Sequence, residues 1–271
     1  MEKDIGAGEL NYVEGMRLKP YKREFGFSYA CGVFPVCELY DAMRPALKKI
    51  IVTESGLANG GVVKLRENAS AAGIPFEVDD KTVARIYPKG NVYAVGVFEK
   101  RERELRNGAD HVMLVNPSDM GNMGTIMRTA VAFGIGDLCV VKPCCDVFDP
   151  KTVRASMGAV FRLRIQTFDS FEEYFERCGG ETDRDYYPFM LDGEPLGNLR
   201  AGDRNVHAGF GEKGHDGRPF SLIFGNEAAG LPESFKNVGR PVRIMHSGDV
   251  DSLNLPVAVA IGIYTFAGGK Y

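Results

Sequence analysis

Three short stretches of this 271-residue sequence carry residue types suited to chemistry at spacings suited to a site. The first runs from Asn116 to Ala130 (NPSDMGNMGTIMRTA) and on to Phe133-Gly134. It reads as a strand end, a tight glycine turn and a helix start. Met123, Ile126, Met127, Ala130 and Phe133 recur at helical spacing and supply a buried stripe. Asn122 stands at the helix entrance, placed to cap the helix or to touch a ligand. Arg128 falls between apolar residues of the same helix; read alone, it is an arginine escaping to solvent. The second stretch, Leu222 to Pro232 (LIFGNEAAGLP), is a buried strand ending in Gly225, which lets a ligand approach the backbone. Glu227 follows at the carboxyl end of that strand, where α/β sheets place their sites. Read alone, it is an exposed carboxylate on a β-turn. The third, Ile244 to Pro256 (IMHSGDVDSLNLP), offers Ser252 and Asn254, either of which can cap the last helix.

The elements around these stretches alternate. Helices are predicted over Val36–Leu47, Ala58–Ala72 and Lys81–Tyr87, with strands over Lys49–Thr53, Phe76–Val78 and Val92–Phe98. That makes a small α/β sandwich over residues 1–98. The charged run Glu99–Arg106 (EKRERELR) reads as a solvated linker, bounded at 99–108. From 109 to 271 the β-α rhythm resumes. Strands are expected at Val112–Val115, Leu138–Val141, Phe161–Ile165, Phe189–Leu191, Ser221–Phe224 and Val242–Met245, with helices at Asn122–Phe133, Val153–Met157, Phe171–Cys178 and Leu253–Phe266. Such alternation argues for a mainly parallel sheet covered on both faces. Gly193–Pro219 breaks the rhythm and reads as a long polar loop. Inside it, Gly209–Gly214 (GFGEKG) matches a dinucleotide-type glycine pattern, but no strand precedes it and no helix follows, so a nicotinamide site is rejected.

Taken together and in order, the three stretches resemble the SpoU (TrmH) family of RNA ribose 2′-O-methyltransferases, within the SPOUT superfamily. The resemblance rests on Asn122, Gly124, Arg128, Thr129, Ala130, Phe133 and Gly134; on Phe224, Gly225, Asn226, Glu227, Gly230 and Leu231; and on Ile244, Gly248, Ser252, Leu253 and Asn254. Arg154–Ala159 (RASMGA) is similar to a further family segment, and residues 109–271 are covered in all. The family's Pro and Met after Ile are Met245 and His246 here. What the resemblance implies is an α/β fold with a knotted parallel-sheet methyltransferase domain and S-adenosylmethionine as cofactor, held among the loops around Gly225, Asn226, Ile244 and Leu253. It implies Arg128 as catalytic, with Asn122, Glu227, Ser252 and Asn254 orienting it, the ribose or the nucleotide. It also implies a homodimer with the last helix in the interface. Residues 17–98 look like the ribosomal-protein-like domain that binds RNA in several members, with Arg17, Lys19, Lys22 and Arg23 as one basic cluster and Arg44, Lys48 and Lys49 as another. Ribosomal RNA is the expected substrate, transfer RNA the alternative. A protein of this fold that binds RNA without turnover is the competing class.

Composition fits without deciding. Hydrophobic residues make up 44% and charged residues 25%, which excludes a disordered or collagen-like chain. With a net charge of −3, any surface for RNA must be local. The start, MEKDIGAGELNY, lacks the apolar core of a signal peptide, and the most apolar run, Leu255–Ala267, is too short to span a bilayer. No membrane partner is expected. Cys31, Cys37, Cys139, Cys144, Cys145 and Cys178 form no Cys-x-x-Cys pattern. They read as thiols in a reducing, cytoplasmic setting with no metal bound.

Overall fold

The computed structural model describes residues 18–88, 92–179, 184–199 and 218–267. Arg17 and the glycine pattern at 209–214 lie outside the described residues. In chain order the first elements are β1 (Phe27–Cys31), α1 (Val33–Met43), β2 (Leu47–Val52), α2 (Gly60–Ala72), β3 (Phe76–Val78), α3 (Asp80–Ile86) and β4 (Ala94–Glu99). Then follow β5 (His111–Val115), α4 (Met120–Ala132), β6 (Asp137–Val141), α5 (Pro150–Ala155), β7 (Arg164–Phe168) and α6 (Phe171–Tyr174). Last come β8 (Asp185–Pro195), β9 (Phe220–Phe224), β10 (Val242–Arg243) and α7 (Leu255–Ala267). The chain divides into two compact units: residues up to Arg101 together with Asp146–Phe161, and Glu102–Cys145 together with the residues from Arg162 onward.

The first unit is a four-stranded sheet in the order β1-β4-β2-β3. β4 is antiparallel to β1 and β2, while β2 and β3 run parallel. Two of its helices start where side chains satisfy free amide groups: Asn59 caps α2, accepting from Gly61 N at 3.0 Å, and Asp79 caps α3, accepting from Thr82 N at 3.0 Å. β1 carries no turn signals that would announce it, yet Tyr29, Ala30 and Cys31 are buried in the core. The segment Asp146–Phe161 also belongs here, although its position in the sequence suggested the later domain. The Ser28 hydroxyl donates to Phe148 O at 2.5 Å, and Phe98 meets Phe161 edge-on at 5.0 Å between ring centres. Of the basic clusters, Lys22 pairs with Glu24, Lys48 with Glu99 at 3.1 Å and Lys49 with Glu77 at 2.6 Å. Arg44 lies over the Tyr40 ring. Much of that charge is therefore met locally.

The second unit is built on a six-stranded sheet, β10-β8-β9-β5-β6-β7, with every neighbouring pair parallel. β5, β6 and β7 step outward in one direction, and β9, β8 and β10 lie on the other side of β5. The strand order thus reverses between β5 and β9, which opens a crevice at their carboxyl ends. Helices α4 and α7 pack together, with α7 against β9. The opposite face buries Met113, Val115, Cys139, Phe168, Tyr174 and Ile223.

Two further findings depart from the sequence reading. The run expected as a solvated linker is an extended strap along the outer strand β7. Arg103 N donates to Ile165 O at 3.1 Å, and the Glu102 carboxylate accepts from the Thr167 hydroxyl at 2.6 Å. Leu105 is buried, and Arg106 Nε donates to the fully buried Asp137 carboxylate at 3.0 Å. Its charges look solvated in sequence because their partners lie far along the chain, Asp137 in β6 being 31 residues from Arg106 and Thr167 in β7 being 65 from Glu102. Secondly, α4 starts at Met120 and is capped by Asp119, which accepts from Asn122 N at 2.7 Å. Asn122 therefore lies inside the first turn.

At the amino ends of β5 and β9 a buried polar chain holds the unit together. His111 Nε2 meets Arg106 O at 2.9 Å; a carbonyl only accepts, so this nitrogen carries the proton. Nδ1 then accepts from the Tyr174 hydroxyl at 2.9 Å, which contacts Ser221 Oγ at 2.7 Å, itself reached by the Arg184 guanidinium at 3.1 Å. Burial, and then the charge of Arg184, hold His111 neutral and lower its pKa to about 4. Its free value is about 6.5. Between those two values the unfolded chain takes up a proton that the folded chain refuses, so stability falls as pH drops through that window. The expected loss is roughly 3 kcal/mol. Titration of the His111 ring by NMR checks this, and a ring that titrates near its free value would refute it.

Candidate active site

At the switch point the chain leaves β5 through Asn116, which sits in the left-handed region at φ 56°. Asparagine tolerates that conformation better than most residues. Pro117, Ser118 and Asp119 then lead into α4. Opposite, β9 ends in Gly225 and turns through Asn226–Gly230. Asn226 and Gly230 exchange backbone hydrogen bonds at 3.2 and 3.0 Å. The Asn226 side chain is fully used: Oδ1 accepts from Ala228 N and Ala229 N, and Nδ2 donates to Asn116 O and to Glu227. Asn226 thus shapes the loop, with its side chain and its backbone both engaged inside the turn.

Glu227 joins the first stretch to the second. Its carboxylate accepts from Ser118 Oγ at 2.8 Å, and from Ser118 N, Asp119 N and Asn122 Nδ2 each at 3.2 Å. It thereby sits at the start of α4, where free amide groups and the helix dipole favour an anion. Burial would raise its pKa, but the backbone, Ser118 and Asn122 donors outweigh burial and hold it below the usual carboxylate range. The stabilisation that follows is present above the free value and is lost as pH falls through the lowered one. Glu227→Gln should therefore lower the thermal midpoint at neutral pH and differ less from the wild-type chain below pH ~4. Paired melts across that range test it; a constant difference would show that Glu227 acts by shape alone.

The second and third stretches enclose a cavity of about 480 Å³. Gly225, Asn226, Glu227, Ile244, Ser252 and Leu253 all line it. So do Phe189, Leu191 and Arg243, which the motifs did not mark, and His246, which stands where the family has methionine. Ile244 and Leu253 are half-buried and Ser252 is exposed. Three of the expected site residues stand outside the lining: Asn122, Arg128 and Asn254. Asn122 is tied to the site through Glu227. Asn254 is exposed, and its backbone carbonyl accepts from Val257 N and Ala258 N, starting α7. Arg128 is exposed on α4 and makes no hydrogen bond to Asn122 or Glu227. The resemblance implied that this pair orients Arg128 or the ribose, and within one chain their hydrogen bonds do not reach Arg128. Asn122 and Glu227 orient each other, together with Ser118, which no residue pattern separated from its turn. Among the described residues no cluster of side chains could hold a metal ion, and no helix is long and apolar enough to cross a membrane.

A model of the SpoU rRNA Methylase family matches residues 110–264. A 23S rRNA (uridine-2′-O)-methyltransferase of Streptomyces viridochromogenes is 31% identical over 159 residues, 56% of this chain and 50% of that protein. The chain thus spans half the length of that curated relative. An uncharacterised tRNA/rRNA methyltransferase of Archaeoglobus fulgidus is 28% identical over 230 residues, covering 83% of this chain and 93% of that one. Among solved structures, an AdoMet-bound rRNA methyltransferase from Sinorhizobium meliloti superposes with a TM-score of 0.70 at 27% identity, covering 89% of this chain and 86% of its own.

Proposed function

The chain belongs to the SpoU rRNA Methylase family, and from that membership we propose that it methylates a ribose 2′-hydroxyl of RNA, with S-adenosylmethionine as methyl donor and ribosomal RNA as substrate. The observation that carries this reading is the meeting of the loops at Gly225–Gly230 and Ile244–Leu253 around one cavity, at the point where the strand order reverses. The named relatives and the AdoMet-bound neighbour support the choice of donor and of RNA.

The residues present fit that donor. A cavity of about 480 Å³ lies in the usual range for small ligands of about 300–1,000 Å³. Its wall combines apolar side chains with the backbone of two loops, suited to an adenosine. When bound, the donor supplies a methyl group already activated by the positive sulfur. The protein is left with positioning and with the hydroxyl proton. The Arg128 guanidinium serves as a fixed cation beside the developing alkoxide or as a clamp on the neighbouring phosphate. The proton goes to a phosphate oxygen or to water.

Because Arg128 does not line the cavity of its own chain, the proposal includes a homodimer in which a second copy completes the site. The exposed Val257 and Tyr264 of α7 support such a contact. Light scattering that finds only monomer at micromolar concentration would remove the dimer. The first unit is proposed to bind the RNA, and six cysteines with no Cys-x-x-Cys spacing suit a reducing, cytoplasmic setting. Mapping ribose methylation in ribosomal RNA from cells with and without the gene tests the whole reading. A missing methyl group at one nucleotide supports it; an unchanged map overturns it.

A further inference from the structure

We infer that Arg243 reads the carboxylate of the donor's amino-acid tail, an assignment that rests on the cofactor proposed above. Arg243 ends β10 and lines the cavity. It pairs across from Pro195 of β8, and the alternation of a pleated strand puts it on the sheet face that carries Phe189 and Leu191, which also line the cavity. The residue is half-buried. Its Nε is buried and has no hydrogen-bond partner, and among the described residues its guanidinium makes no ion pair. A buried Nε–H without a partner is costly, and a ligand anion gripped by the guanidinium would relieve that cost.

The acidic groups around the cavity do not meet this need. Asp192 and Glu233 are both held by Lys236, the latter at 2.7 Å, and Glu227 is held at the start of α4. Asp251 is exposed and forms no ion pair with Arg243. The donor itself narrows the choice. It carries a sulfonium, an ammonium and one carboxylate. The two cations repel a guanidinium; the carboxylate matches its planar fork of donors. Arg243 thus acts as a positioning residue that selects ligands with an intact tail.

The test is calorimetric titration of the full chain with two nucleosides. S-adenosylhomocysteine has the amino-acid tail; 5′-methylthioadenosine lacks it. Arg243→Gln should weaken S-adenosylhomocysteine by about ten- to a hundredfold. Binding of 5′-methylthioadenosine should stay within about twofold, which also shows that the variant is folded. Arg243→Lys, which keeps the charge but loses the fork, should fall between the two. Equal weakening of both ligands would mean that Arg243 stacks on the nucleoside or supports the fold, and would overturn the assignment. So would unchanged affinity for both. A wild-type chain that binds neither nucleoside overturns the cofactor reading, and this inference with it.

Discussion

Gly225→Ala abolishes binding of S-adenosylhomocysteine and lowers the stability of the second unit by about 3 kcal/mol, at the upper end for overpacking. A Cβ on Gly225 would lie 2.1 Å from Gly230 C and 2.3 Å from both Gly230 O and Leu231 N. All three are backbone atoms, and two hydrogen bonds to Asn226 fix Gly230 in place. No side chain can rotate out of the way, so the Asn226–Gly230 turn must open, and the cavity wall opens with it. Two neighbours calibrate the result. A Cβ on Gly248 meets nothing within 4 Å, so Gly248→Ala should leave the melting midpoint unchanged. At Gly230 space is also free, but φ is +68°, so Gly230→Ala should cost only about 1 kcal/mol. Scanning calorimetry and ligand titration on the three variants decide the matter. A Gly225→Ala chain that melts and binds like the wild type would show that the turn is not closed as described.

That glycine was legible in the sequence because its constraint is local: a strand ends and the chain must turn at once. The same holds for the β-α rhythm around the second sheet, whose periods declare themselves within each element. The convergence of Asn122 with Glu227 could be read only through family likeness, since 105 residues separate the pair. Other features were hidden for a common reason. The Glu102–Arg106 strap and the placement of Asp146–Phe161 in the first unit depend on partners far away in sequence, and the unpaired Nε of Arg243 depends on neighbours brought up by other strands. A charged run does not say that it will lie along a strand, and a half-buried arginine looks in sequence like any other. Arg128 is the converse case. Likeness implied its role, but nothing in the periodicity of α4 says which cavity it serves.

Arg128→Ala should reduce turnover by about a hundred- to a thousandfold, the usual effect of removing one group that stabilises developing charge. It should leave the melting midpoint unchanged, because Arg128 is exposed and makes no hydrogen bond to Asn122 or Glu227. Loss of activity without loss of stability separates it from Gly225, where the two fall together. Arg128→Lys distinguishes the two roles proposed for the side chain. If a cation alone is needed, lysine retains most activity. If the fork must grip a phosphate, lysine fails even though RNA binding stays intact. Single-turnover rates on RNA with bound donor, read beside RNA affinity, give the answer. An alanine variant with normal turnover would remove Arg128 from the mechanism.

The strap along β7 also sets where this protein can be cut. The family match begins at residue 110, which invites a minimal fragment starting there. Such a truncation would strip away Leu105 and leave the Asp137 carboxylate buried without Arg106. It would bare the rim of a parallel sheet whose backbone groups are then ready to recruit another chain. Keeping that rim covered therefore requires a chain that begins at Glu102 or earlier, ahead of the family match.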